Sequence, residues 1–411
     1  MKAAVFTLGC KVNECESDAL ISALAERGFT VTDRLEPADI YIVNTCAVTR
    51  EAEKKSRQAA ERIKKLNPSA KIIFTGCAAQ KDPASFCRLG GGLVTGVFGK
   101  NDIPDMLTFS GAYLSPEPKE YEEMHTVKTL RSRAFIKVQD GCDSFCSYCI
   151  IPYLRGRSRS RAPESVLSEL AALSPAEAVI TGIDLSSYNY KGLGLAGLVA
   201  ALKDFPGRLR LGSLEERVID RELLENLAEL KNFAPHFHLS LQSGSDAVLK
   251  KMNRKYTASG FLNKVRLIRE YFPAAGITTD IIAGFPTETE EDFNRTVDFV
   301  DEAEFSDIHP FTYSPRSGTA AYRLKDLPAG IKKARTAVLL EKKAQLKNKF
   351  AKKNQGAALD FLAEEQKNGV TEGYSGNYLR LYVKGDVPRG KTVKVRVTEP
   401  YRDGAFAELI K

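Results

Sequence analysis

Six times between residues 134 and 313 a short apolar run gives way to a helical stretch, and no other feature narrows the possible folds as far. The expected strands lie at 134–138, 178–181, 208–213, 236–241, 278–283 and 307–313, with helices such as 162–173, 221–232 and 290–304 between them. Strands separated by helices pair in parallel, and a run of such units curls into a barrel or part of one. The same alternation occurs earlier. Apolar runs at 3–8, 40–43 and 71–74 are each followed by a helical stretch, at 16–26, 50–66 and 80–87, which predicts a separate parallel α/β domain.

Residues 104–131 turn irregular around Ser110, Gly111, Pro116 and Pro118 and read as a linker. A long helix is expected over 331–353, where nine Lys or Arg face the single acid Glu341. Beyond Gly356, short alternating segments at 379–383 and 392–397, broken by Gly385, Pro388 and Gly390, predict a small all-β module. The expected boundaries are therefore 1–103, a linker over 104–131, a barrel over 132–353 and the terminal module over 354–411.

Composition excludes several classes. With 411 residues, 43% of them hydrophobic, the chain has material for more than one packed core. No stretch reaches the roughly 18 uninterrupted apolar residues that span a bilayer. The opening apolar run is short and soon meets Lys11, so it does not read as a secretory signal. A cytoplasmic protein with no membrane partner is expected. The net charge of +8 permits a nucleic-acid partner without demanding one. Eight cysteines in such a chain read as thiols that serve metals or catalysis, not as disulfides.

Those cysteines fall into two sets of three. Cys142, Cys146 and Cys149 lie within eight residues, directly after the expected strand 134–138. Zinc takes four ligands in closed sites, and no fourth Cys or His is at hand locally. Three thiolates on a four-iron cube would leave one iron open to a substrate. Cys10, Cys46 and Cys77 are dispersed, but each immediately follows one of the three N-terminal strands. Strand C-termini of a parallel sheet share one edge, so these thiols should converge, beside helix N-termini that favour thiolate. Cys15 and Cys87 lack that position and read as packing residues.

At this point a resemblance can be drawn. The segments Thr7-Leu-Gly-Cys-Lys-Val-Asn13, Asn44-Thr-Cys46, Gly76-Cys77 and Gly141-Cys-x3-Cys-Ser-Tyr-Cys-Ile-Ile-Pro-Tyr153 resemble the radical S-adenosylmethionine (SAM) methylthiotransferases. Further marks are Leu239-Ser-Leu-Gln-Ser-Gly-Ser245, Asp280-Ile-Ile-Ala-Gly-Phe-Pro286 and Phe311-Thr-Tyr-Ser-Pro-Arg-Ser-Gly-Thr319. The resemblance implies an N-terminal methylthiotransferase domain with an auxiliary iron–sulfur cluster on Cys10, Cys46 and Cys77. It implies a radical SAM partial (β/α)6 barrel with a second 4Fe–4S cluster on Cys142, Cys146 and Cys149, and a C-terminal TRAM barrel that binds RNA. Two uses of SAM are implied: one molecule methylates a sulfur held at the auxiliary cluster, and the other is cleaved to a 5′-deoxyadenosyl radical that activates a C–H bond. An electron donor such as flavodoxin or ferredoxin, and a sulfur source, are implied partners. Both clusters should face one cavity, with the N-terminal sheet edge capping the barrel mouth.

By family position, Tyr148 lies against the adenine of SAM, and Thr181, Gly182 and Asp184 meet its methionyl part. Glu215, Gln242, Ile282 and Gly284 approach the ribose and adenine. The substrate reading favours RNA. Arg155, Arg157, Arg159 and Arg161 alternate strictly, and an extended segment would point all four the same way, toward phosphates. The terminal module carries Arg380 and Lys394 among seven basic residues over 376–402, with Tyr374, Tyr378 and Tyr382 interleaved. Within the family, Leu8–Asn13, 284–288 and 311–316 look most like the enzymes that convert N6-threonylcarbamoyladenosine beside the tRNA anticodon to its 2-methylthio derivative. That substrate carries a carboxylate; Arg316 or one of Arg155–Arg161 is the expected anchor. Two sister activities stay open, on N6-isopentenyladenosine in tRNA and on an aspartate of a ribosomal protein. So does a non-catalytic RNA-binding or electron-transfer iron–sulfur protein.

Overall fold

The computed structural model describes residues 1–410. Strands Lys2–Thr7, Ile40–Thr45 and Lys71–Gly76 pair in parallel, as the sequence predicts. Successive residues of a strand face opposite ways, and here both faces are covered. Ile40 and Ile42 pack with Leu20, Ile21 and Leu24 of the helix Lys11–Glu26. Tyr41 and Val43 pack with Ala59, Ala60 and Ile63 of the helix Arg50–Leu66. Short strands at Thr30–Thr32, Leu93–Thr95 and Gly111–Tyr113 complete a six-stranded sheet. The last of these corrects the linker reading: Gly111–Tyr113 is an exposed edge strand paired to Leu93–Thr95, and Met124 and Leu130 pack beneath the N-terminal core.

The barrel strands are Ala134–Asp140, Glu177–Gly182, Arg208–Leu211, Ser213–Leu214, His236–Gln242, Gly276–Ala283 and Asp307–Thr312. The expected third strand is divided at Gly212. Its first part pairs with Glu177–Gly182 and its second with His236–Gln242, so one chain segment turns the corner between two parallel sheets. A Cβ on Gly212 would stand 3.0 Å from Thr181 Oγ1 and 3.1 Å from the Ile180 carbonyl, so a side chain at this corner would crowd the neighbouring strand.

Five strands, Ala358–Lys367, Val370–Ser375, Arg380–Lys384, Thr392–Tyr401 and Gly404–Leu409, close into the small C-terminal barrel. It docks on the floor of the large barrel, where the strands begin. Glu177, fully buried, binds Arg208 and, at 2.8 Å, Arg210. Those guanidiniums donate onward to the carbonyls of Asp360 (3.1 Å), Ser375 (3.1 Å) and Gly376 (2.9 Å). The helix Ala329–Lys353 clamps the two barrels together. Six of its nine basic residues, Lys332, Arg335, Lys342, Lys343, Lys347 and Lys349, are paired to acids, so its charge serves docking.

Burial alone would raise the Glu177 carboxyl; Arg210, Arg208 and Arg133 outweigh it and hold it at about 2. Because the folded value lies below the unfolded one, the stabilisation is complete above about pH 4.3 and lost as pH falls toward 2. Denaturant midpoints of the wild type and Glu177→Gln should therefore differ at pH 7 and converge across that window.

Candidate functional site

The C-terminal edge of the N-terminal sheet faces the mouth of the large barrel. Cys10 caps the helix Lys11–Glu26, Cys46 follows Ile40–Thr45, and Cys77 opens the helix Cys77–Lys81. The three thiols lie close together: besides burial, which is the larger cause, Cys77 raises the proton affinity of Cys10, and Cys77 and Cys10 raise that of Cys46. Gly9 makes the approach possible: at φ 111° it lies against Cys46, and a Cβ there would stand 2.8 Å from the Cys46 sulfur. Asn13 fastens the loops, donating to the carbonyls of Leu8 (2.8 Å) and Thr45 (3.0 Å).

The second trio occupies the loop after Ala134–Asp140, entered through Gly141 at φ 74°. A Cβ at Gly141 would meet the Arg157 carbonyl at 1.9 Å, so the loop closes only with glycine there. Cys77 and Cys149 pack against one apolar cluster, shared by Phe74, Ala78, Phe86, Ile150, Ile151 and Leu154. One thiol of each trio therefore borders a shared interface. Arg316, ion-paired to Glu53 at 2.9 Å, and the Ala321 amide, donated to the Ser147 carbonyl, close its rim.

Donors are aimed at the sulfurs. The Val48 amide lies 3.5 Å from Cys46 Sγ, the Ser144 amide 3.4 Å from Cys142 Sγ, and Arg155 Nε 3.4 Å from Cys77 Sγ. Burial nevertheless pushes the thiols up, Cys142 to about 11 and Cys46 and Cys149 to about 12, overriding the helix N-termini that the sequence reading relied on. Thiols so placed need a metal to release their protons. Among the described residues no three His, Cys, Asp or Glu side chains close on a single ion. Thiol-only trios with N–H donors on their sulfurs fit an iron–sulfur cluster. Cys15 is buried within its helix and Cys87 is half-buried, as packing residues.

Two cavities open here, the first between the N-terminal unit and the large barrel and the second wholly within the large barrel. One, of about 210 Å³, is lined by Val48, Thr49, Tyr148, Gln242, Asp280, Ile282, Tyr313 and Arg316 among others. The other, of about 320 Å³, is lined by Cys146, Ser187, Glu215, Arg217, Arg254 and Tyr256 among others. Tyr148, Gln242 and Ile282 thus border the first and Glu215 the second. Asp184 accepts from Arg217 at 3.0 Å and lies 3.9 Å from the Cys142 sulfur. Thr181 and Gly182 end the strand Glu177–Gly182 and line neither cavity. Gly284, at φ 73°, forms a turn whose amide donates to Glu288, with Lys332 against its Cα. Arg316 is 4% exposed, and its Nε and Nη2 have no hydrogen-bond partner although the residue lines the first cavity.

The alternating arginines do not form one face. Arg155 ends the short helix Ile151–Arg155, and Gly156 at φ 67° breaks the extended run. Arg155 is fully buried, Arg159 stacks on Phe98 and pairs with Glu117, and Arg161 pairs with Glu123 and Glu169. Only Arg157, with its side chain 68% exposed beside Asp143, keeps a free surface. The tyrosine spacing misled in the same way. Tyr378, at φ 68°, turns inward between Tyr374 and His236, with ring centroids 4.6 and 4.3 Å away, and Arg210 caps it at 4.9 Å. Tyr382 is buried against Asp403. Arg380 is held by Glu372 and Asp403, and Lys394 by Asp360. Sequence reasoning missed the half-buried platform beside them: Tyr401 and Phe406 stack at 3.9 Å, with Arg402 over Tyr401 and Lys384 over Phe406. Their five-residue separation across a hairpin carries no local signal.

Comparison with known proteins fits this geometry. Residues 2–99 match the "Uncharacterized protein family UPF0004", and residues 136–300 match the "Radical SAM superfamily". The structure of TsrM, a radical S-adenosylmethionine methyltransferase from Kitasatospora setae, superposes with a TM-score of 0.56 at 15% identity, covering 90% of this chain and 80% of that one. These place the chain among radical SAM enzymes by fold. Full-length relatives narrow it. The threonylcarbamoyladenosine tRNA methylthiotransferase MtaB of Bacillus subtilis is 36% identical over 99% of this chain and 97% of its own. That of Thermotoga maritima is 39% identical over 98% and 95%. The tRNA-2-methylthio-N(6)-dimethylallyladenosine synthase of Bacillus subtilis is 34% identical over 96% and 82%. The protein belongs to the radical SAM methylthiotransferase family. No helix among the described residues is long and apolar enough to cross a membrane.

Proposed function

We infer that the protein is a tRNA methylthiotransferase that converts N6-threonylcarbamoyladenosine beside the anticodon to its 2-methylthio derivative. Cys142, Cys146 and Cys149 would hold a SAM-binding 4Fe–4S cluster, and Cys10, Cys46 and Cys77 an auxiliary one. When bound, these groups supply the electron that cleaves SAM and the sulfur that is methylated and transferred. The chain's own residues bring the parts together. Tyr148, Gln242 and Ile282 wall the chamber, Glu215 and Asp184 offer acceptors to the polar parts of SAM, and the shared apolar cluster excludes water between the trios. Flavodoxin or ferredoxin is the proposed electron donor, and a sulfur source is required.

The observation that carries the choice of nucleoside is Arg316. A buried guanidinium with two unpartnered nitrogens on a cavity wall suits a carboxylate, which threonylcarbamoyladenosine has and dimethylallyladenosine lacks. Arg316→Ala should lower kcat/KM by roughly 10- to 100-fold, the loss of a charged hydrogen bond worth about 1.5–3 kcal/mol. An unchanged kcat/KM would remove Arg316 as the anchor. The RNA around that nucleoside would meet Arg157 and the Tyr401–Phe406 platform. Mass spectrometry of tRNA nucleosides tests the assignment: a deletion strain should lack 2-methylthio-threonylcarbamoyladenosine and regain it on complementation. Loss of the methylthio-dimethylallyl nucleoside instead would transfer the assignment to the sister activity.

A further inference from the structure

Arg155 sits at the junction of the two thiol-bearing units and is used by neither cavity. Every donor of its guanidinium is engaged. Nε donates to Cys77 Sγ at 3.4 Å; Nη1 to Glu16 at 2.8 Å and Asp140 at 3.0 Å; Nη2 to Asn13 at 2.8 Å and Glu16 at 3.1 Å. Asn13 in turn fastens the loops of Cys10 and Cys46. One side chain from the second trio's loop thus reaches all three loops of the first.

Its surroundings carry an imbalance of charge. Lys100 binds Glu16, and Lys137 binds Glu16 and Asp140 at 3.2 and 3.0 Å, all buried. Three cations, Arg155, Lys100 and Lys137, face two anions, Glu16 and Asp140, a local excess of one positive charge. A buried excess charge is costly without a counter-charge. The group next to it is the N-terminal thiol trio. A dicationic four-iron core held by three thiolates carries one formal negative charge, opposite in sign and equal in size to the excess.

We propose that Arg155 is a positioning residue of the auxiliary site: it fixes Cys77 against the SAM-binding loop and raises the reduction potential of the cluster that Cys10, Cys46 and Cys77 hold. This rests on the two-cluster reading above. The chemistry has a use for it. The new C–S bond takes one electron from the substrate carbon radical and one from the methylthiolate pair; the electron left over passes to the iron site that held the sulfur. A neighbouring cation and an N–H···S hydrogen bond both stabilise the more reduced state there.

The test uses the full chain with Cys142, Cys146 and Cys149 all changed to Ala, so that only the N-terminal trio takes up iron. That parent is compared with the same chain carrying Arg155→Met or Arg155→Lys, each reconstituted anaerobically with iron and sulfide. Arg155→Met leaves two cations facing two anions, so the chain's own buried charges balance while the cluster loses its counter-charge; Arg155→Lys is the reading if the Met variant fails to load. Iron content should hold at about four per chain. In an EPR-monitored titration with dithionite the midpoint should fall in Arg155→Met, and by less in Arg155→Lys, which keeps charge but not the fork of donors. Equal midpoints at equal iron content would overturn the proposal while leaving the cluster in place. A parent that takes up no iron would remove the cluster itself, and the proposal with it.

Discussion

Replacing Cys142 by alanine should abolish 5′-deoxyadenosine formation from SAM under reducing conditions. The three thiols of that loop are the whole local donor set, and Cys142 stands where Asp184 and the Ser144 amide converge on its sulfur. Two thiolates cannot hold a four-iron cube with one iron open to a substrate. Cys46→Ala should behave differently. It leaves the barrel trio intact, so SAM cleavage persists, but the methylthio product disappears. Chromatography of the nucleoside products separates the two results. A Cys46→Ala protein that still forms methylthioadenosine would contradict the role of the N-terminal trio.

Glu177→Ala should be strongly destabilising. It removes the anion that Arg208 and Arg210 share, in a site where Glu177 is fully buried and Arg210 nearly so. Leaving buried guanidiniums uncompensated costs about 3–5 kcal/mol. The loss should fall first on the docking of the C-terminal barrel, whose carbonyls at 360, 375 and 376 those guanidiniums hold. Urea denaturation should report the drop in stability, and limited proteolysis should release the region after the Ala329–Lys353 helix. A loss below about 1 kcal/mol, the range of an exposed pair, would mean the floor is held by packing alone.

The legible part of the fold was the part governed by local pattern. Apolar runs alternating with helices gave the order of strands, and Cys10, Cys46 and Cys77 at three strand ends predicted their own convergence. The edge strand Gly111–Tyr113 was not legible, because all three residues are exposed and carry no apolar alternation. The arginine and tyrosine series failed for a shared reason: one glycine turn at Gly156, and one left-handed residue at Tyr378, send equally spaced side chains in different directions. Buried charges such as Arg155 and Glu177 find partners more than 30 residues away, which spacing along the chain does not encode.

What the six thiols bind decides the chemistry open to this protein. Anaerobic reconstitution of the wild-type chain, followed by iron, sulfide and zinc analysis, should give about eight iron and about eight sulfide per chain. A plateau at about four, or zinc retained at either trio, would contradict it.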